Sequence, residues 1–322
     1  VEGFAEYMHY GTIAVTVAAN ALAVGIGQGI TSHGALEAMD LQPSARDDIT
    51  RASILGMALM ETAALMGTFI AFLLLLQTNS TAQNSTLAGF AELGIVFAVG
   101  LSGFVLGIVS AFPARAACLA IARQPFFSRQ IVRFMLIALS LLQTPIIFGL
   151  IVALFIRGQA GSIETVRDSL RLIASGVCIG IGSVGPAIGL AFFTKSACDG
   201  MGVNRSSYRQ LFSFALISQA IIETPILFAL IVSVSLLFVV PAFGAENLVD
   251  GIMFLAAGLC TGIGTIGPGI SSGKTATEAC KQIASNPETY SALSRVSMFA
   301  QGLIETAAIY AVLISFLLLF LR

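Results

Sequence analysis

The sequence lacks tryptophan, has two histidines, and is poor in charge. Only 10% of its 322 residues are Asp, Glu, Lys or Arg, against 57% hydrophobic residues and a mean hydropathy of +0.92. These values lie outside the range of soluble globular domains and identify a membrane protein. The five cysteines (Cys118, Cys178, Cys198, Cys260 and Cys280) are odd in number and have no metal-ligand spacing. They read as small buried residues rather than a disulfide framework or metal site.

What the chain has instead is long apolar runs. Met57 to Leu76, Met135 to Ile156, Leu211 to Val240 and Met298 to Leu321 each exceed the roughly 20 apolar residues that span a bilayer. Between them lie Gly- and Ala-rich stretches, approximately 10–32, 91–121, 170–198 and 250–280, which read as four further helices. Eight helices leave no room for a fused enzyme or a nucleic-acid-binding module. The expected fold is therefore an all-α membrane protein.

The cations are unevenly placed. Arg46, Arg51, Arg115, Arg123, Arg129, Arg133, Lys195, Arg205, Arg209, Lys274, Lys281 and Arg295 lie near the connections 1/2, 3/4, 5/6 and 7/8; only Arg157, Arg167, Arg171 and Arg322 lie near the other ends. By the positive-inside rule those connections face the cytoplasm or its organellar equivalent, and both termini face the opposite side. Asn79, Asn84 and Asn204 head glycosylation-type triplets that read as chance in polar loops. The chain begins with Val1, which is consistent with removal of a leader.

A repeat of about 81 residues emerges when the polar intramembrane positions are aligned. Glu61, Gln143, Glu223 and Glu305 are separated by 82, 80 and 82 residues, and threonine follows each: Thr62, Thr144, Thr224 and Thr306. Before each anchor lies a polar connection, Gln42-Pro43, Gln124-Pro125, Asn204-Arg205 or Asn286-Pro287, and before each connection a glycine-rich helix. The sequence thus divides into hairpins 1–82, 83–161, 162–243 and 244–322. Glycine pairs at four-residue spacing, Gly103/Gly107, Gly176/Gly180, Gly185/Gly189 and Gly258/Gly262, predict a tight inner layer, because helices in lipid associate by close backbone approach. The bulky partner helices suit an outer, lipid-facing layer.

A charged carboxylate in mid-membrane costs about 2.5–3.5 kcal/mol or more, so Glu61, Glu223 and Glu305 must be protonated, metal-bound or paired across helices. Three of them at one repeat position suggest an ion ferry, in which the acid is neutral while facing lipid and releases its proton when a counter-charge or aqueous channel reaches it. Gln143 cannot carry a proton or a full charge, so the second hairpin is expected to carry no ion. Glu37, Asp47, Asp48, Glu278 and Glu288 lie near turns and read as solvated.

These residues resemble the c subunit (proteolipid) of F-type ATP synthases, a hairpin with a glycine-rich first helix, a polar loop and a carboxylate in the second helix. Ala122-Arg123-Gln124-Pro125 is similar to the family's loop. Gly262 to Gly269, Asn286-Pro287-Glu288 and Gly302 to Tyr310 make the fourth repeat the best whole-hairpin match. The four-hairpin organisation is similar to the related V-type rotors, whose fused forms include hairpins without the carboxylate. The resemblance implies a homo-oligomeric ring surrounded by membrane lipids, which turns past the stator a subunit and its essential arginine. It places Gln42, Pro43, Arg123, Gln124, Pro125, Asn204, Arg205, Asn286 and Pro287 against the central stalk. No cofactor or nucleic acid is implied, only transported H+ or Na+, three ions per chain, in an energy-coupling membrane, bacterial inner or organellar.

The same resemblance bears on which ion is carried. Sodium-binding members add a first-helix glutamine and a hydroxyl after the glutamate of a neighbouring hairpin. Gln28 with Glu61 makes hairpin 1 sodium-competent on that pattern, and Thr62, Thr224 and Thr306 supply hydroxyls. Ser110, Leu190 and Ser272 occupy the glutamine's position in the other hairpins, while Gln219 and Gln301, four residues before Glu223 and Glu305, are either compensating ligands or interhelical hydrogen bonders. Unequal sites favour protons, since a proton needs only the carboxyl. Two other readings stand beside the rotor of an ATP synthase: a V-type-like ATP-driven pump and an ion-coupled secondary transporter. Transporters usually repeat larger, inverted units, whereas these repeats are parallel. A structural or fusogenic ring would not need three glutamates. Pro268 to Thr275 resembles a phosphate-binding loop but lacks a preceding strand, and reads as the end of a membrane helix.

Overall fold

The computed structural model describes residues 2–76, 86–238 and 248–320, with side chains from residue 6 onward. Asn79, Asn84, Val240, Leu321, Arg322 and Val1 lie outside the described residues. Eight helices long and apolar enough to cross a membrane run along the chain: α1 (Glu6–Leu41), α2 (Pro43–Leu75), α3 (Thr86–Arg123), α4 (Pro125–Ala160), α5 (Val166–Val203), α6 (Arg205–Phe238), α7 (Leu248–Ser285) and α8 (Pro287–Phe320). No strand occurs among the described residues. The odd-numbered helices extend well beyond the expected stretches, because the α-helix does not stop where the apolar residues stop. A 38-residue helix such as α5 measures about 57 Å against roughly 30 Å of hydrocarbon.

Each hairpin closes through the same turn. At Gln42, Gln124, Asn204 and Asn286 the backbone leaves the helix (φ −142°, −133°, −141° and −138°), and a three-residue 3₁₀ turn follows. Proline opens three of these turns, where its fixed φ suits a helix start and its missing N–H costs nothing. In the third turn, which lacks the proline, Asn204 accepts from Ser206 N at 3.0 Å and donates to Ala284 O at 3.0 Å, tying hairpin 3 to hairpin 4.

The helices form two layers. α1, α3, α5 and α7 pack side by side in chain order as an inner layer; α2, α4 and α6 each pack on their own inner helix and the next one, and α8 packs on α7 and α6. Glycine permits the inner packing. A Cβ on Gly27 would drive into Gly107 O, one on Gly180 into Phe97 O, and one on Gly189 into Gly269 O. Gly67 and Gly103 instead leave room for the fully buried Asn20, whose Nδ2 donates at 3.4 Å to Val99 O in the π-helical turn Val96–Leu101 of α3. The outer layer exposes Leu65, Phe69, Phe72, Leu303, Tyr310 and Leu313.

The layers make an open arc. The most apolar stretch of α5 is 78% buried and that of α3 61%, but only 28% of α1 and 17% of α8. Gly25 and Gly29 on the free edge of α1 have nothing within 4 Å of where a Cβ would stand.

Candidate functional site

The four repeat anchors lie midway along the outer helices, one per hairpin, and their surroundings differ. Glu61 on α2 is exposed at the open side of the arc, Glu223 on α6 and Glu305 on α8 are half-buried, and Gln143 on α4 is 5% exposed.

Gln143 is held by the preceding hairpin. Thr62 Oγ1 lies 2.8 Å from the Gln143 side-chain amide and 2.7 Å from Leu59 O. One hydroxyl proton cannot serve two acceptors, so this contact is satisfied when the amide NH₂ faces Thr62 and donates to the hydroxyl, which in turn donates to Leu59 O. That arrangement employs the amide nitrogen and leaves the amide oxygen in the position where the buried nitrogen has no partner. Pro145 follows and cannot donate to Leu141 O; the Thr144 hydroxyl takes that carbonyl at 2.6 Å. The same threonine lies beside the Glu223 carboxyl, so two successive junctions place the threonine of one hairpin next to the anchor of the following one. At the third junction Thr224 donates instead to Ala220 O of its own helix at 3.2 Å, and Thr306 donates to Leu303 O at 2.7 Å.

Gln219 and Gln301 are 1% and 0% exposed. Gln219 Nε2 donates across to Ala138 O at 2.9 Å; Gln301 Nε2 lies 3.3 Å from Ser218 Oγ and 3.0 Å from Ser297 Oγ. The amide nitrogens are thus interhelical hydrogen bonders, and the amide oxygens remain buried without partners. One oxygen each of Glu223 and Glu305 is likewise buried and unpartnered, four residues later on the same helix face. Two unpartnered acceptors one helical turn apart are what a single bound proton, or a cation, could join.

The inner helices contribute unequally. Gln28 is half-buried at the level of Glu61, since the adjacent Gly27 and Thr31 both meet Met60. Ser110 and Ser272 are fully buried with unpartnered hydroxyls, and Leu190 is buried in the apolar core. No group of three or more His, Cys, Asp or Glu side chains that could hold a metal occurs among the described residues.

The turn residues form one end of the molecule. Gln42 is hydrogen-bonded to Ser44, Arg123 lies 3.5 Å from Asp199, and Phe126 beside Pro125 is 100% exposed. Glu37, expected to be solvated, is half-exposed and accepts from Arg115 at 2.9 Å; Asp48 accepts from Ser128 at 2.6 Å. Sequence reasoning overlooked a buried pair at the opposite end, where His9 Nδ1 lies 2.7 Å from Glu92 Oε2, each residue 6% exposed. The available signal was a further acid and a histidine inside apolar helices.

The family model of the ATP synthase C subunit matches the chain four times, at residues 12–74, 93–156, 173–236 and 255–318. Relatives of known name include the ATP synthase c subunit of Thermotoga petrophila, 41% identical over 66 residues covering 20% of this chain and 78% of the relative. An ATP synthase c subunit of Cereibacter sphaeroides is 41% identical over 66 residues, 20% of this chain and 80% of the relative. The ATP synthase c subunit of Dehalococcoides mccartyi is 32% identical over 72 residues, 22% of this chain and 95% of the relative. Each relative corresponds to about one hairpin.

Proposed function

The chain belongs to the family of ATP synthase c subunits, non-catalytic membrane components of the rotor, and on that premise we propose that it carries protons, in preference to sodium, on Glu61, Glu223 and Glu305. The observation that carries this reading is that Glu223 and Glu305 each have an unpartnered oxygen one turn from an unpartnered glutamine oxygen, whereas the amide of Gln143 is engaged by Thr62 of the preceding hairpin. A protonated glutamic acid can donate to Gln219 or Gln301, is neutral in lipid, and ionises where an aqueous channel and a stator arginine take over the solvation. Gln143 resembles that loaded acid, neutral and hydrogen-bond donating, but cannot discharge. Each chain then transports three ions with four hairpins, a gearing that eases ATP-driven pumping and raises the ion-motive force needed for synthesis.

The inner-helix positions support protons over sodium. Gln28 offers an oxygen to hairpin 1, but Leu190 offers none to hairpin 3, so the chain has no uniform oxygen cage. In this reading Thr62 and Thr144 orient anchors, and Thr224 and Thr306 bond their own helices, rather than complete a sodium shell.

Ring assembly follows from the open arc. Gly25 and Gly29 stand seventeen and thirteen residues before Gln42, the register at which Gly269 and Gly273 precede Asn286 and receive α5. The free edge of α1 thus repeats a surface already used inside the chain and fits α7 of a second copy. Closure sets Thr306 of one copy toward Glu61 of the next, repeating the Thr62–Gln143 relation. The four hairpins 1–82, 83–161, 162–243 and 244–322 act as the rotor's steps. Their basic turns face the catalytic head in the cytoplasm or its organellar equivalent, with Gln42, Pro43, Arg123, Gln124, Pro125, Asn204, Arg205, Asn286 and Pro287 at the stalk.

The test is ATP-driven ion uptake by the reconstituted complex in sodium-free vesicles. Acidification abolished by Glu223→Gln or Glu305→Gln supports the reading; uptake of sodium without acidification overturns its ion assignment.

A further inference from the structure

Between α5 and α7, near their turns, lies a cleft of about 640 Å³ bounded by Phe192, Lys195, Asp199, Lys274, Glu278 and Lys281 among others, all on these two inner helices. No outer-helix residue lines it, so it opens on the inner face of the layer. Its charges are not balanced. Lys281 lies 3.2 Å from Glu278, and Asp199 lies 3.5 Å from Arg123. Lys195 and Lys274, both exposed, form no ion pair within 4 Å among the described residues, and the acid nearest Lys195, Asp199, is shared with Arg123.

Depth identifies what such a pair can meet. Lys195 and Lys274 precede their turns by nine and twelve residues, whereas Glu223 and Glu305 follow theirs by eighteen to nineteen. At about 1.5 Å per residue the ammonium groups sit about 10–15 Å closer to the turns than the glutamates, near the edge of a hydrocarbon layer whose half-thickness is about 15 Å. On the membrane side of the lysines the least buried stripe of α5 is apolar: the half-buried Ile181, Val184 and Ile188, then the exposed Phe192, whose ring stacks on Phe112 at 5.8 Å. A cationic rim at headgroup level above an apolar wall matches an anionic phospholipid, phosphate on the lysines and acyl chains down the stripe.

We propose that this cleft binds one anionic phospholipid per chain through Lys195 and Lys274. The equivalent positions of the first two hairpins cannot form such a site. They hold Ile30 and His33, and Phe112 and Arg115, and Arg115 is already bound to Glu37 at 2.9 Å. The lipid therefore marks the boundary between hairpins 3 and 4 alone. The cleft lies within one chain and is independent of which ion the glutamates carry.

Native mass spectrometry of the full chain in detergent, titrated with dioctanoyl phosphatidylglycerol or dioctanoyl phosphatidylcholine, tests the site. The expected result is one phosphatidylglycerol adduct per chain, at least tenfold weaker in Lys195→Gln/Lys274→Gln, and retained in Lys195→Arg/Lys274→Arg, which keeps the charge. Equal retention of the two lipids, or an unchanged adduct in the glutamine variant, overturns the proposal. Displacement by millimolar inorganic phosphate also overturns it, by assigning the cleft to a soluble anion.

Discussion

Thr62 and Gln143, 81 residues apart in sequence, meet at 2.8 Å across the boundary between the first two hairpins. At the next boundary Thr144 lies beside the carboxyl of Glu223. The substitution at the second anchor therefore leaves a site whose shape is kept and whose charge is gone. Gln143→Glu is expected to add a fourth titratable site without disturbing the fold, seen as new carbodiimide labelling in hairpin 2 and an unchanged melting temperature. A variant that melts several degrees lower would mean that the amide is a structural requirement.

Close glycine contacts should dominate the stability of the inner layer. Gly189→Val pushes a side chain into the Gly269 carbonyl and the Gly273 backbone, neither of which can swing aside. A loss of about 1–3 kcal/mol or more is expected, read as earlier thermal unfolding in detergent. Gly158→Ala, where nothing lies within 4 Å, should be neutral or slightly stabilising.

The glycine layer was legible because lipid removes the usual hydrophobic drive and leaves small residues as the visible mark of helix contact. Gly107, Gly176, Gly180, Gly185, Gly189 and Gly258 all meet neighbouring backbone. The anchors were legible for a related reason: an acid in an apolar run is costly enough to imply a task. Pairings between hairpins were not. Whether Gln219 and Gln301 are ligands or hydrogen bonders depends on which of their two polar atoms faces the next helix, and periodicity carries no such information. Asn20 in its pocket of two glycines and the His9–Glu92 pair join residues about 80 apart, and appear only once α1 is laid on α3.

His9 and Glu92 provide a stability test distinct from transport. Replacing either by leucine strands the other buried polar group, with an expected cost of about 3–5 kcal/mol. The double leucine variant should recover much of that loss. A double variant as unstable as the sum of the singles would mean that the two residues do not act as a pair.

Phe126 projects fully into solvent from the second turn, where the corresponding turns carry Ser44, Ser206 and Glu288. If the turns face the stalk as proposed, an exposed aromatic at such a tip is a candidate anchor. Phe126→Ser is expected to leave the isolated chain's melting unchanged while weakening retention of the catalytic head on purification at least tenfold.

Carbodiimide modification of the purified protein, read by peptide mass spectrometry across pH with and without sodium, tests the central claim most directly. Carbodiimide attacks the protonated carboxyl. The account predicts labelling at Glu61, Glu223 and Glu305 and none in hairpin 2, falling as pH rises and indifferent to sodium. Labelling suppressed specifically by sodium would contradict the proton assignment, and no labelling at the three glutamates would contradict the ion-ferry account itself.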